Sequence, residues 1–79
     1  MKYLKREKTH GSFSRHAEVT QQMKKIMSPY MLPLNKEQRE AIEMILHKIG
    51  RIAAGDPNHH DHWDDIAGYA TLARQSIKE

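Results

Sequence analysis

A stretch near the C-terminus, NHHDHWDDIAGYATLARQ at 58–75, places three His and three Asp within its first eight positions. Asp61 and Asp65 lie four residues apart, so a helix would bring both carboxylates to one side. Glu40 and Glu43 lie three residues apart and would do the same on a preceding helix. Two helices with carboxylates at one-turn spacing can hold Mg²⁺, which prefers oxygen ligands and bridges readily to phosphates. The spacing therefore predicts a magnesium and phosphate site.

The same residues also fit a structure that holds no metal. Glu43 could pair with His47, one turn later, on a solvated helix face. We interpret His59 and His60 as polar residues at the start of a helix, because metal-ligating His pairs on helices usually lie four residues apart. Trp63 is interpreted as a core residue. The metal site and the solvated surface both stay open at this point.

Length and composition restrict the class of protein. The 79-residue chain is one small domain, near the size at which a single core gives marginal stability. It has no cysteine, which excludes disulfides and thiolate metal sites. No apolar run approaches the roughly 20 residues that a membrane span needs, and the basic N-terminus lacks the apolar region of a secretion signal. We expect a soluble, cytoplasmic protein that compensates for its small core by self-association.

Charge is distributed unevenly along the chain. Residues 1–36 carry eight Lys and Arg against two Glu, whereas residues 37–79 carry five Lys and Arg against eight acidic residues. The basic half could place cations near an anionic ligand held by the acidic half, or opposite ends of neighbouring subunits could attract each other. Nucleic-acid binding is disfavoured, because the sequence shows no nucleic-acid fold motif.

Apolar spacing predicts three helices and no strand, which is an all-α fold. Residues 1–10 are predicted to form a basic flexible tail, and residues 11–79 a single helical domain. The helices are expected at about 14–28, 36–53 and 58–78. Asn35 and Gln38 form a capping-box pattern at the start of the second helix. Gly50 interrupts the interior of that helix, which indicates a close backbone approach there.

The packing surface of the second helix is predicted from four Ile residues at spacings of three, four and three: Ile42, Ile45, Ile49 and Ile52. This spacing is typical of the seam of an antiparallel helical bundle. We predict that five side chains are buried in mutual contact: Ile45, Ile49, Trp63, Ile66 and Ala70. Because three amphipathic helices on so short a chain bury little surface, we expect an oligomeric helical bundle, either a dimer or a dimer of dimers.

The segment REAIEMILHKIGRIAAGDPNHHDHWDDIAGYATLA resembles small phage and prophage proteins of unassigned function. These carry a helix like EAIEMILHKIGRI, a GDP turn and then DxWxDIAGYA. The upstream HGSF…HAEVTQQMKKIM is also similar, so the resemblance covers most of residues 10–75. Such proteins are distantly similar to the all-α nucleoside triphosphate pyrophosphohydrolases of the MazG type. The resemblance implies an all-α fold and, for a phage-encoded protein, a location in the host cytoplasm.

The MazG-type enzymes hold Mg²⁺ against a triphosphate with a Glu-Glu-x-x-Glu helix and a Glu-x-x-Asp helix. By this resemblance, Glu40 and Glu43 match the final Glu-x-x-Glu of the first motif. Asp65 matches the Asp of the second motif, and Asp61 could substitute for its Glu. The chain departs from the motifs at two positions, Arg39 and His62.

The resulting hypothesis assigns Mg²⁺ to four carboxylates: Glu40, Glu43, Asp61 and Asp65. Glu43 and Asp65 are the expected catalytic residues, and Lys48 and Arg51 could hold the phosphates. One open function is a Mg²⁺-dependent nucleotide-binding protein, either a nucleoside triphosphate pyrophosphohydrolase or its degenerate relative. The alternative is a non-catalytic phage protein that binds and inhibits a host or defence protein, or sequesters a signalling nucleotide. Fold class does not distinguish these two functions.

Overall fold

Three helices, joined by short connections, make up the part of the chain that this computed structural model describes, residues 12–78. They are α1 (Phe13–Met27), α2 (Lys36–Ala54) and α3 (His60–Gln75), with a 3₁₀ turn at Ser28–Tyr30. No strand occurs within residues 12–78, so the predicted all-α fold is confirmed for them. The tail predicted at 1–10 lies outside the described residues. None of the described helices combines the length and the apolar character needed to cross a membrane.

Side-chain caps set where the first two helices begin. The Ser12 hydroxyl accepts a hydrogen bond from the Arg15 backbone N–H at 3.1 Å, which satisfies one of the unpaired donors at the start of α1. At α2 the predicted capping box is present: the Asn35 side chain accepts from the Gln38 N–H at 2.8 Å. The Gln38 side chain accepts from the Asn35 N–H at 3.1 Å. Sequence chemistry therefore fixes the start of α2.

Helix α2 lies between the other two helices. It packs against α1 and against α3, while α1 and α3 do not contact each other within residues 12–78. Leu46 and Gly50 mark the side of α2 that faces α1, and Ala41 and Lys48 mark the side that faces α3. At about 100° per residue these two sides are roughly opposite. The described chain is therefore a single layer of three helices.

Helices α1 and α2 approach each other closely at Gly50. A Cβ atom added there would lie 2.5 Å from Thr20 Oγ1 and 2.9 Å from His16 Cδ2, distances that real Cβ atoms do not adopt. The backbone of α2 thus approaches the side chains of α1 without an intervening side chain. This confirms the close approach that the glycine in the helix interior predicted.

Within residues 12–78 the buried apolar side chains are few, and they are not those predicted. They are Met31, Ala41, Leu46 and Ala54. Of the five side chains predicted to form the core, Ile49 is 39% exposed and Trp63 54% exposed. Ala70 is also exposed, and Ile45 and Ile66 are only half-buried. The packing prediction was wrong because α2 uses two opposite sides for α1 and α3, and the Ile seam lies between those sides.

The helical layer has two faces of different chemistry, which follow from the rotation of α2 between its neighbours. We call one the apolar face and define it by residues of all three helices: Val19, Ile26, Ile42, Ile45, Ile49, Trp63, Ile66 and Ala70. The opposite one, the polar face, is defined by Lys24, Glu40, His47, Arg51, Asp61 and Asp65. The Ile seam predicted from sequence is thus not part of the buried core of residues 12–78: Ile49 is exposed, and the other three Ile residues are half-buried.

We expect the Gly50→Ala variant to be less stable than the wild type, because the added methyl group would collide with Thr20 and His16. Overpacking of this kind typically costs about 1–3 kcal/mol. Gly68→Ala is the matched control, because a Cβ there meets nothing within 4 Å. It should stabilise the protein by up to about 1 kcal/mol through helix propensity. Urea unfolding at equal protein concentration checks both, and a Gly50→Ala variant as stable as Gly68→Ala would contradict the close approach.

Candidate functional site

The contact between α2 and α3 includes an ion pair between two of the predicted site residues. Lys48 Nζ lies 2.7 Å from Asp65 Oδ2, and the Lys48 side chain is only 15% exposed whereas that of Asp65 is 47% exposed. The short distance is typical of a charge-assisted hydrogen bond. A cation predicted to bind phosphate and a carboxylate predicted to bind metal are therefore brought together by the fold.

The electrostatic surroundings of Asp65 favour its ionised form. Its pKa is lowered from the usual value, first by the hydrogen bond from Lys48. Burial opposes this lowering, and the charge of Lys48 adds a smaller effect that lowers the pKa further. His62 and Arg51 contribute weaker effects in the same direction. Asp65 thus stays a carboxylate at neutral pH, surrounded by positive charge. Arg51, the second predicted phosphate ligand, is close enough to act on the same carboxylate.

Asp61 lies in the first turn of α3, one turn before Asp65. Its carboxylate is exposed, and its Oδ2 atom is 3.9 Å from His59 Nε2. A negative charge in the first turn interacts favourably with the partial positive charge of the helix N-terminus. The two Asp residues therefore lie on the same side of α3, as their spacing predicted.

The two Glu residues of the hypothesis point to different neighbours. Glu43 lies on the side of α2 near α1, in a cleft of about 150 Å³ that it shares with Lys24 and Arg39. Glu40 lies on the side near α3, where it borders an open groove with Tyr69. Residues 12–78 contain no group of three or more His, Asp or Glu side chains placed to hold a metal ion together. The four carboxylates do not converge within one chain.

The histidines at the start of α3 have different roles. His59 is the N-cap residue, without a side-chain capping bond, and His60 is the first helical residue, as predicted. His62 is 1% exposed and packs edge-on against the His59 ring, with 4.6 Å between ring centroids. Sequence reasoning missed this burial. The sequence holds a signal for it: His62 is followed by Ile66, Tyr69 and Ala73 at spacings of four, three and four, which places these side chains on one side of α3.

A second polar cluster, also missed from sequence, lies between α1 and α2. His16 Nε2 is 3.1 Å from the backbone oxygen of His47, and Lys24 Nζ is 3.3 Å from His47 Nε2. Burial lowers the pKa of His47, and the positive charges of Lys24, His16 and Arg51 lower it further, against a weaker raising effect of Glu43. His47 is therefore held neutral, and its ring nitrogen accepts a hydrogen bond from the Lys24 ammonium.

Comparison with known families gives one assignment. The sequence profile of DUF6378, described as a domain of unknown function, matches residues 3–77. The chain belongs to the DUF6378 family. Comparisons with curated proteins and with solved structures gave no match. Membership in DUF6378 thus assigns nearly the whole chain to one family, and the description of that family names no activity.

The lowered pKa of His47 predicts a pH dependence of stability. As the pH falls below 6.5, the usual value, His47 of the unfolded chain binds a proton before His47 of the folded chain does. Acidification therefore lowers the free energy of unfolding between pH 6.5 and the lower pKa of the folded state. The stability that His47 contributes is fully present above pH 6.5 and is lost as the pH falls through this range. We expect His47→Gln to lose less stability than the wild type on acidification, as measured by urea unfolding across this range.

His60→Gln, a change at an exposed histidine in the first turn of α3, is the control for that experiment. It should keep the wild-type pH dependence. Equal pH dependence of the wild type and His47→Gln would show that the cluster between α1 and α2 does not control the protonation of His47.

Proposed function

We propose that this DUF6378 protein binds a nucleotide together with Mg²⁺ on the polar face of the helical layer and acts as a homo-oligomer. The observation that carries the proposal is the Lys48–Asp65 ion pair across α2 and α3. Together with Arg51 and Asp61, it gathers two cations and two carboxylates at the same end of the layer. Phosphates require the cations, and a divalent cation bound to them requires the carboxylates.

The carboxylates fit Mg²⁺ when the ion arrives with a nucleotide. Mg²⁺ usually keeps several waters and takes one or two protein carboxylates plus substrate phosphates, rather than a cage made of protein alone. Asp61 and Asp65, one turn apart on α3, can supply such a pair. Residues 12–78 hold no group of three ligands, and none is required if phosphate oxygens and waters complete the coordination. The ion would offset the negative charge of the phosphates.

Lys48 and Arg51 are proposed to hold the phosphates. In the structure Lys48 is held by Asp65, which keeps its long side chain in one place on the polar side of the α2–α3 contact. An ammonium that is already ordered loses less side-chain freedom when an anion binds. Arg51 adds a guanidinium, which binds phosphate through a planar fork of donors.

Glu40 and Glu43 are not among the residues proposed to bind the nucleotide and Mg²⁺. Glu43 lines a cleft on the α1 side together with the cations Lys24 and Arg39. Glu40 borders the groove near Tyr69, one turn or more away from the Asp pair. If the protein hydrolyses the nucleotide, Glu43 would have the catalytic role that the MazG resemblance implies. Binding of the nucleotide and Mg²⁺ is assigned to Asp61 and Asp65 of α3.

The second candidate function, a protein that binds another protein, is favoured by a different observation. Three large apolar side chains around α1 and the following connection are strongly exposed: Phe13 at 79%, Tyr30 at 71% and Leu32 at 80%. Aromatic and aliphatic side chains exposed to this degree are common anchors of protein interfaces. A host or defence protein would be the partner under the phage resemblance.

We expect the wild-type protein to bind a nucleoside triphosphate in Mg²⁺ and to lose that binding in EDTA. Asp65→Asn should weaken binding at least about tenfold, a loss of about 1.4 kcal/mol, because it removes a carboxylate and the partner of Lys48. Titration calorimetry with a panel of nucleotides measures this, and circular dichroism checks that the helices persist. Release of pyrophosphate and a monophosphate would identify a hydrolase, whereas binding without release would identify a nucleotide-binding relative.

Asp64→Asn is the matched control, since Asp64 neighbours Asp65 but is exposed. It should bind nucleotide as the wild type does. No Mg²⁺-dependent binding by the wild type to any nucleotide of the panel would reject the proposal and favour the protein-binding function.

A further inference from the structure

We infer that the apolar face of the helical layer is the surface on which two copies of this chain associate, face to face. The inference deepens the proposed self-association by naming the surface, and it does not depend on nucleotide binding. It rests on the exposure of Ile26, Ile49 and Trp63, the few buried apolar side chains of residues 12–78, the size of the face and the charges of the outer helices.

The apolar face combines side chains of every helix and contains the residues whose spacing predicted a core. Ile26 on α1 is 70% exposed, Ile49 on α2 is 39% exposed and Trp63 on α3 is 54% exposed. The Trp63 indole N–H donates to the Pro57 backbone oxygen at 2.7 Å, so its ring is held in place while much of it is exposed. An ordered aromatic ring next to Ile side chains is a typical anchor of a protein interface.

Residues 12–78 bury few apolar side chains, so the apolar face would add much to the surface that they remove from water. Within residues 12–78 the buried apolar side chains are Met31, Ala41, Leu46 and Ala54, two of which are alanines. Covering Ile49 and its neighbours would therefore supply a large part of the hydrophobic stabilisation. A surface required for folding must be covered whenever the protein is folded. A second copy of the same chain is the one partner that is present wherever the chain is present and at the same concentration.

The size of the face suits a stable dimer. Helices of 15 to 19 residues are roughly 25 Å long, and three of them side by side are roughly 25 Å wide. Each copy then covers roughly 600 Å², or about 1,200 Å² for both, which lies at the lower end of specific protein interfaces. A two-fold axis would put the same residues of both copies in contact, as an isologous interface requires.

The charges of the outer helices favour one orientation of the two copies. Helix α1 carries three cations and one carboxylate, whereas α3 carries three carboxylates and one cation. An axis parallel to the helices places α1 of one copy over α3 of the other, so that opposite net charges are neighbours. An axis across the helices would place like charges together. In both orientations the polar faces point outward, so the second copy does not cover Asp65, whose side chain is 47% exposed.

The first test is the mass of the full chain in solution. We expect light scattering at micromolar concentration to give twice the 9.2 kDa mass of the chain, or a multiple of it. Ile49→Glu should shift the mass to that of a monomer, because it buries a charge in the centre of the apolar face. Leu72→Glu is the matched control: Leu72 is 61% exposed but lies toward the polar face, beside Tyr69. It should keep the wild-type mass.

A second test does not depend on the folding of the Glu variant. The chain has no cysteine, so a single introduced cysteine can be linked only to the same residue of another copy. Under copper-catalysed air oxidation, Ile49→Cys should form a covalent dimer much faster than Leu72→Cys, because α2 lies at the centre of the stacked faces. Trp63 is the single Trp of the chain, and its emission should shift to the red when the wild type is diluted to monomer.

Three outcomes would overturn the inference. A wild type that stays at 9.2 kDa throughout the micromolar range would show that a second copy does not cover the apolar face. An oligomer disrupted by Leu72→Glu but not by Ile49→Glu would place the interface on the opposite face. Equal crosslinking of the two cysteine variants would likewise reject the face-to-face arrangement. None of these readouts involves nucleotide, so each is independent of the proposed function.

Discussion

The structure depends on the position of α2 between two helices that do not touch each other. A helix with neighbours on opposite sides must present two packing surfaces, and here neither is the Ile seam. Toward α1 it presents Gly50, where the absence of a side chain lets Thr20 and His16 approach the backbone. Toward α3 it presents Ala41 and, two turns further along, the stem of Lys48, whose ammonium reaches Asp65. These two contacts fix the rotation of α2, and that rotation determines which residues form each face of the layer.

Local chemistry made part of this fold predictable. The capping box of Asn35 and Gln38, the glycine at the helix crossing and the three helices all follow from rules that act within a few residues. The side of α2 that is buried within one chain could not be predicted from such local rules. Apolar spacing shows that a surface will be covered, but it does not show whether the cover comes from the same chain or from another copy. The seam was therefore read as the core of one chain.

The candidate site was predicted in part for a related reason. Spacing along one helix placed Asp61 and Asp65 together correctly. Lys48 was predicted only as a phosphate ligand, and its ion pair with Asp65 was not predicted. It could not show that Glu43 faces Lys24 and Arg39 on the α1 side, because that depends on how α2 is rotated between two neighbours. The burial of His62 was missed because only apolar side chains were counted among the predicted core residues of α3. An aromatic ring with two nitrogens packs as a largely apolar body, and that property decides its place here.

The two faces of the layer are coupled through α2 because their residues alternate along one helix. Ile49 on the apolar face is one residue from Lys48 and two from Arg51. A small rotation of α2 would change the exposure of Ile49, and it would also move the Lys48 ammonium relative to the Asp65 carboxylate. A charge-assisted hydrogen bond of 2.7 Å tolerates little such movement. Burial of the apolar face against a second copy would restrict this rotation. Self-association would then stabilise the arrangement of charges on the polar face, although the two surfaces share no residue.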